Sequence, residues 1–133
     1  MESEMQNLIR AGIVSAVYPE RHTARVTFED ADNVVSSELP VLVPFSQKNK
    51  SYRLPDVGES VVCVMLANST SSGEGFIIGS YYNAQDKVKV NSQDKSRIDF
   101  SDGTFIEYDR ASHQLKINCV GDIFVNGKTI NLN

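Results

Sequence analysis

An all-β protein is expected from the sequence on three observations. Apolar and polar residues alternate with period two over much of the chain, no long helical period occurs, and turn-forming clusters interrupt the pattern at short intervals. With 133 residues, 41% hydrophobic and 23% charged, the chain suits one domain, or one compact domain with an appendage, around a core of moderate size.

Residues 1–10 read as an arm in which Met5, Leu8 and Ile9 stand at helix-like spacing for at most two turns. GIVSAVYPERHTARVTF, residues 12–28, reads as two strands around the turn Pro19-Glu20-Arg21-His22. Past the polar stretch Glu29 to Glu38, Leu39–Val43 is a third strand, stopped by Pro44. The loop FSQKNKSYRLPDVGE follows; VVCVMLA and GFIIGSYY are then the fourth and fifth strands, joined by the polar loop Asn68–Glu74. The continuous run VVCVML predicts a strand covered on both faces. Five strands without a helix predict a small closed or partly open barrel over residues 11–83.

Residues 84–95 are polar and read as a linker. In the tail, 96–133, short alternating segments set one apolar stripe against a polar one. The stripe consists of Ile98, Phe100, Ile106, Tyr108, Leu115, Ile117, Cys119, Ile123, Val125, Ile130 and Leu132. Asp102-Gly103, Asp109 to His113, Gly121-Asp122 and Asn126-Gly127 break it into five segments. An isolated meander would leave that stripe in water, forfeiting about 1.5–3 kcal/mol for each large side chain that could be buried. No amphipathic helix remains to cover it. Self-association about an axis is the economical solution, because identical chains supply matching stripes and close open strand edges.

The stretches AGIVSAV, ARVTF, LPVLVP, PDVGESVVCVML, GFIIGSYYN and DGTFIEYDRASHQLKI resemble the phage baseplate assembly protein V family, the central spike proteins of contractile tails. The likeness runs from about Leu8 to about Val125, its most specific pieces being Pro55 to Glu59, Gly79 to Asn83, and Asp102-Gly103-Thr104 followed by Tyr108-Asp109 and His113. The resemblance implies an N-terminal five-stranded OB-type barrel and a C-terminal intertwined, triple-stranded β-helix in a homotrimer. It also implies a virion baseplate location, synthesis in a host cytoplasm, tail hub and tube proteins as partners, and transient contact with the target envelope, which the spike pierces. Longer relatives end in a His-x-His pair that binds iron. Here only His22 and His113 occur, so no metal and no cofactor is expected. Either the spike is stubby and blunt or a separate tip protein caps it; the cap is favoured, because a blunt trimer end would expose Ile130 and Leu132 near the axis.

Other chemistries read weakly. Cys63 and Cys119 are far apart in strand-like runs and predict two buried thiols. His22 and His113 fall in turns without a second ligand at useful spacing. Ser69–Ser72 lacks the strand–turn–helix of a nucleophile elbow, and Gly73-Glu-Gly75 lacks the lysine and helix of a phosphate loop. Asp99, Asp102, Glu107 and Asp109 fit the solvated face of strands better than a glycosidase pair, so no enzymatic activity is expected. The longest apolar run, Val61 to Ala67, is too short to span a bilayer, and the MESEMQNLIR start does not read as a signal peptide.

Net charge is −4; up to Asn83 six Lys/Arg face ten Asp/Glu, and seven face seven thereafter. That acidity opposes the main rival function, binding of single-stranded nucleic acid through Tyr18, Phe28, Tyr52, Phe76, Tyr81 and Tyr82. A tail-hub connector that pierces nothing is the other alternative.

Overall fold

A computed structural model describes residues 8–29, 32–66 and 73–133. The described chain is all-β, with strands in two antiparallel sheets. It divides into a unit ending at Lys87 and a second unit, Val88–Asn133. No helix among the described residues is long and apolar enough to cross a membrane.

The first sheet contains β1 (Ile9–Tyr18), β2 (Thr23–Phe28), β3 (Val34–Val35), β4 (Leu39–Pro40), β5 (Ser60–Met65) and β6 (Gly75–Ser80). Its order is β3-β2-β1-β5-β6, with β4 also paired to β2. β1 serves two neighbours: Ile9 to Ile13 pair with β5, and Ile13 to Tyr18 pair with β2. A register shift between Val14 and Ala16 lets the long strand bend from one partner to the other. The turn at Pro19–His22 is closed by the Arg21 amide donating to the Tyr18 carbonyl at 3.2 Å. His22 there adopts a left-handed φ of 54°.

Three expectations need correction. Ile9 and Arg10 belong to β1, opposite Val64 and Cys63, instead of to an arm; Met5 lies outside the described residues. Val34 and Val35, placed in a polar connection by the sequence, pair with Phe28 and Thr27. The third strand is only Leu39–Pro40, because the chain then leaves β2 for β6. Val41 bridges Ile77 in parallel and the Leu42 amide donates to the Ile77 carbonyl at 3.0 Å. Between β3 and β4, buried Ser36 continues the pairing with its side chain, Oγ accepting from the Val26 amide at 3.0 Å.

Alternate residues of these strands form one core: Val14, Ala24, Val26, Phe28, Leu39, Val61, Cys63, Met65 and Ile77. Gly12 is required where β1 crosses β2, since a Cβ there would collide with Val26 Cγ1 and the Thr27 carbonyl. The run VVCVML has only its inner face covered within the chain: Val62 and Val64 are half-buried and Leu66 is exposed.

The second sheet is the meander β7 (Lys95–Asp99), β8 (Phe105–Asp109) and β9 (Gln114–Asn118). Gly103, at φ 98°, turns the chain between β7 and β8, with Asp102 Oδ1 accepting from the Thr104 amide at 2.9 Å. Asp109 Oδ1 likewise accepts from Ala111, and His113 takes the left-handed position, φ 59°, before β9. Five tail segments were expected and three form strands. Ile123–Val125 and Ile130–Leu132 lie in none, since no backbone among the described residues pairs with them.

Candidate assembly surface

Directly opposed residues of antiparallel strands share a face. Register therefore places Ile98, Ile106 and Ile117 in one row, and Ser96, Tyr108 and Leu115 in the next. All five large side chains are exposed, from 40% for Ile98 to 65% for Leu115. Phe100 and Cys119 lie just past the ends of β7 and β9; Phe100 is exposed and Cys119 half-buried. The thiol of Cys119 approaches the Asp122 carbonyl at 3.7 Å, which corrects the expectation of two buried thiols. Cys63 is buried, and burial pushes its thiol up to about 11.

Ile123, Val125, Ile130 and Leu132 follow β9 and are exposed, Leu132 at 93%. Among the described residues the chain thus brings together the stripe residues of the three strands and leaves the last four exposed and outside any strand. Val120 and Phe124, outside the stripe by parity, are also exposed, Phe124 at 83%. Their apolar character was legible in the sequence, but alternation alone gave them no role.

The opposite face of the meander is closed on itself. Arg97, Glu107 and Lys116 form its middle row. Glu107 is only 2% exposed: Arg97 Nη1 lies 2.9 Å and Lys95 Nζ 3.7 Å from its Oε1. Arg97 also pairs with Asp99 at 2.9 Å, and its guanidinium sits 3.8 Å over the Phe105 ring. The hydrogen bonds from Arg97 hold both Glu107 and Asp99 below the usual carboxylate range. Asp102 and Asp109 are held low by the turn amides of Thr104 and Ala111. All four carboxylates are therefore engaged in ion pairs or turns.

In the first unit a cleft of about 550 Å³ is lined by Asp56 to Glu59, Ser80 to Tyr82, Gln85 and Asp86. Glu59 is fixed there, accepting from the Asp56 amide and from Ser80 Oγ. Asn83 shapes the wall: its Nδ2 donates to Ser60 Oγ at 2.6 Å and its Oδ1 accepts from the Gln85 and Asp86 amides. Two loops far apart in sequence build this cleft, so no local motif announced it.

Neither histidine joins a cluster. His22 lies edge-on to Tyr52, ring centroids 6.4 Å apart, and its buried Nε2 has no hydrogen-bond partner. Among the described residues no group of three or more His, Cys, Asp or Glu could hold a metal ion. Ser69–Ser72 lies outside the described residues, apart from which Gly73 packs on Ser36 and Gly75 opens β6. Of the rings weighed for base stacking, Phe28 is buried under Arg10, whereas Tyr52 and Tyr82 are the most exposed. Comparison with known proteins finds no family model that matches the chain and no curated protein that matches it.

Proposed function

We propose that the chain is the central spike of a contractile phage-like tail: a homotrimer that punctures the target envelope when the sheath contracts, docked to hub and tube proteins and capped by a separate tip. The observation that carries the reading is the uncovered apolar face of β7-β8-β9, continued by residues 119–133, whose apolar side chains are exposed and which lie in no strand among the described residues. Three copies would bury these stripes together and pair segments 119–133 between chains as an intertwined β-helix. The polar face, already satisfied by the Arg97–Glu107 pair, would remain in water.

An OB-type barrel is the finer reading of the first sheet. Its support is the order β2-β1-β5-β6 with a parallel return from Val41 to Ile77, β3 and β4 counting as one interrupted strand. Function then rests on stiffness. Axial force passes through the barrels into a shaft whose interchain hydrogen bonds and dry core resist unfolding, with no group required to titrate or react.

Light scattering on the purified chain tests this. The expected mass is three times 14.7 kDa, falling to the monomer when the chain ends at Lys87; a monomeric full-length chain overturns the reading. Piercing is separated from a connector role by electron microscopy of extended and contracted particles, where the spike must project beyond the baseplate.

The nucleic-acid alternative draws on Tyr52 beside Lys48, Lys50 and Arg53. It requires labelled oligonucleotide to be retained at low salt and released as salt rises; no retention removes it.

A further inference from the structure

The first unit carries an exposed basic loop and an acidic cleft that the loop does not line. Between Leu39 and Pro55 the sequence holds Lys48, Lys50 and Arg53 and no acidic residue. Those three cations project from the loop Phe45–Arg53, pinned by the Ser46–Lys50 bridge and by the Ser51 amide donating to the Phe45 carbonyl at 3.2 Å. Among the described residues none of the three has an ion pair. The cleft has the reverse character. Its lining includes Asp56, Glu59 and Asp86 with no cation, and Tyr81 and Tyr82, both exposed, wall it. Glu59 is held by Ser80 and the Asp56 amide, whereas the carboxylates of Asp56 and Asp86 have no ion pair among the described residues. No residue of the loop Phe45–Arg53 lines the cleft.

Resting on the homotrimer reading, the geometry points to a contact between copies: the basic loop of one chain seats in the acidic, tyrosine-walled cleft of the next. Two different patches that complement each other on one chain make a heterologous contact, and such contacts close into a ring when the rotation permits. A trimer supplies that closure. Three cations against three carboxylates match in number, and the tyrosine faces suit lysine or arginine groups entering beside them. The same preference recurs within the chain, where Arg10 lies over Phe28, Arg21 over Tyr18 and Arg97 over Phe105. Charge complementarity of this kind fixes register and partner choice more than it adds affinity. In a spike it would set the rotational placement of the first units, a task that an apolar stripe leaves loose.

The test is zero-length carbodiimide cross-linking of the full-length chain, after light scattering has established its mass. A trimer is expected to yield covalent dimers and trimers on a denaturing gel, with peptides joining Lys48 or Lys50 to Asp56 or Asp86. K48E/K50E should abolish those bands while the sheet content stays unchanged. Reversing both sides together, K48E/K50E with D56K/D86K, should restore at least half of them. A trimer whose cross-links join other residues overturns this contact and leaves the trimer standing; a monomer overturns both. Loss of the bands in K48E/K50E without recovery in the combined variant also overturns the pairing.

Discussion

Glu107 is buried on the face that the alternating pattern assigns to solvent. The pattern fixes parity, and the cations that pair with Glu107, Arg97 and Lys95, belong to the neighbouring strand, which no single-strand pattern reveals. Arg97 depresses the Glu107 carboxyl below its ordinary 4.5, so the sign follows from linkage. The pair's stabilisation is complete above the unfolded value near 4.5 and is lost as pH falls through the lower folded value. Asp99, Asp102 and Asp109, also depressed from 3.8, act in the same direction just below that window. Acid unfolding followed by circular dichroism should therefore steepen below about pH 4.5. Glu107→Gln should be less stable at pH 7 and show a shallower acid limb, and an unaltered limb would mean that the pair contributes nothing. Gly12 makes a purely steric prediction. With Val26 and the Thr27 carbonyl in the space of a Cβ, Gly12→Ala should cost about 1–3 kcal/mol in a denaturant titration, the usual penalty of overpacking.

At the scale of elements, the longer strands were legible: 12–18, 23–28 and the three of the meander from alternation, 60–65 and 75–80 from their apolar runs, although 60–65 is fully covered on one face only. Of the two-residue strands, Leu39–Pro40 was legible as the start of the strand expected at Leu39–Val43 and Val34–Val35 was not. Val34–Val35 sits among polar neighbours and exists because β2 offers an edge, while Val41 to Val43 lost their strand when the chain crossed to β6. Ile123–Val125 and Ile130–Leu132 read as strands and have no ladder among the described residues; in the proposed trimer the other two chains would supply it. Ile117 is the informative position, since it ends the row with Ile106 and Ile98 and is 59% exposed. In a lone chain Ile117→Asp should be tolerated to within about 0.5 kcal/mol, as surface changes usually are. In the proposed trimer it buries three like charges around one axis, a penalty beyond a few kcal/mol. Light scattering on the variant should read a monomer with retained sheet content; an intact, heat-resistant trimer would refute the inward placement of the stripe.

For the whole molecule, the sequence announced the apolar stripe but not the acidic cleft, because Asp56–Glu59 and Ser80–Asp86 converge only after β5 and β6 pair. The two cysteines then report on assembly. Cys63 is in the core, its thiol raised to about 11 by burial, whereas Cys119 is half-exposed in the single chain and falls on the stripe. A thiolate reagent at pH 7.5 should modify neither in an assembled trimer, because Cys119 would be covered by the other two tails and Cys63 is held neutral. When the tails separate, by dilution or through Ile117→Asp, one thiol per chain should react while Cys63 stays protected until the first unit unfolds. Melting gives the independent check. Each tenfold rise in chain concentration favours a trimer by two-thirds of about 1.4 kcal/mol per chain, whereas a monomer gains nothing. Protection of Cys119 should therefore persist to a temperature that climbs by a few degrees per decade of concentration, with Cys63 in a chain ending at Lys87 showing no such dependence. Concentration-independent exposure of Cys119 in the full-length chain would place the stripe's partner inside one chain or on another protein, and would end the spike reading.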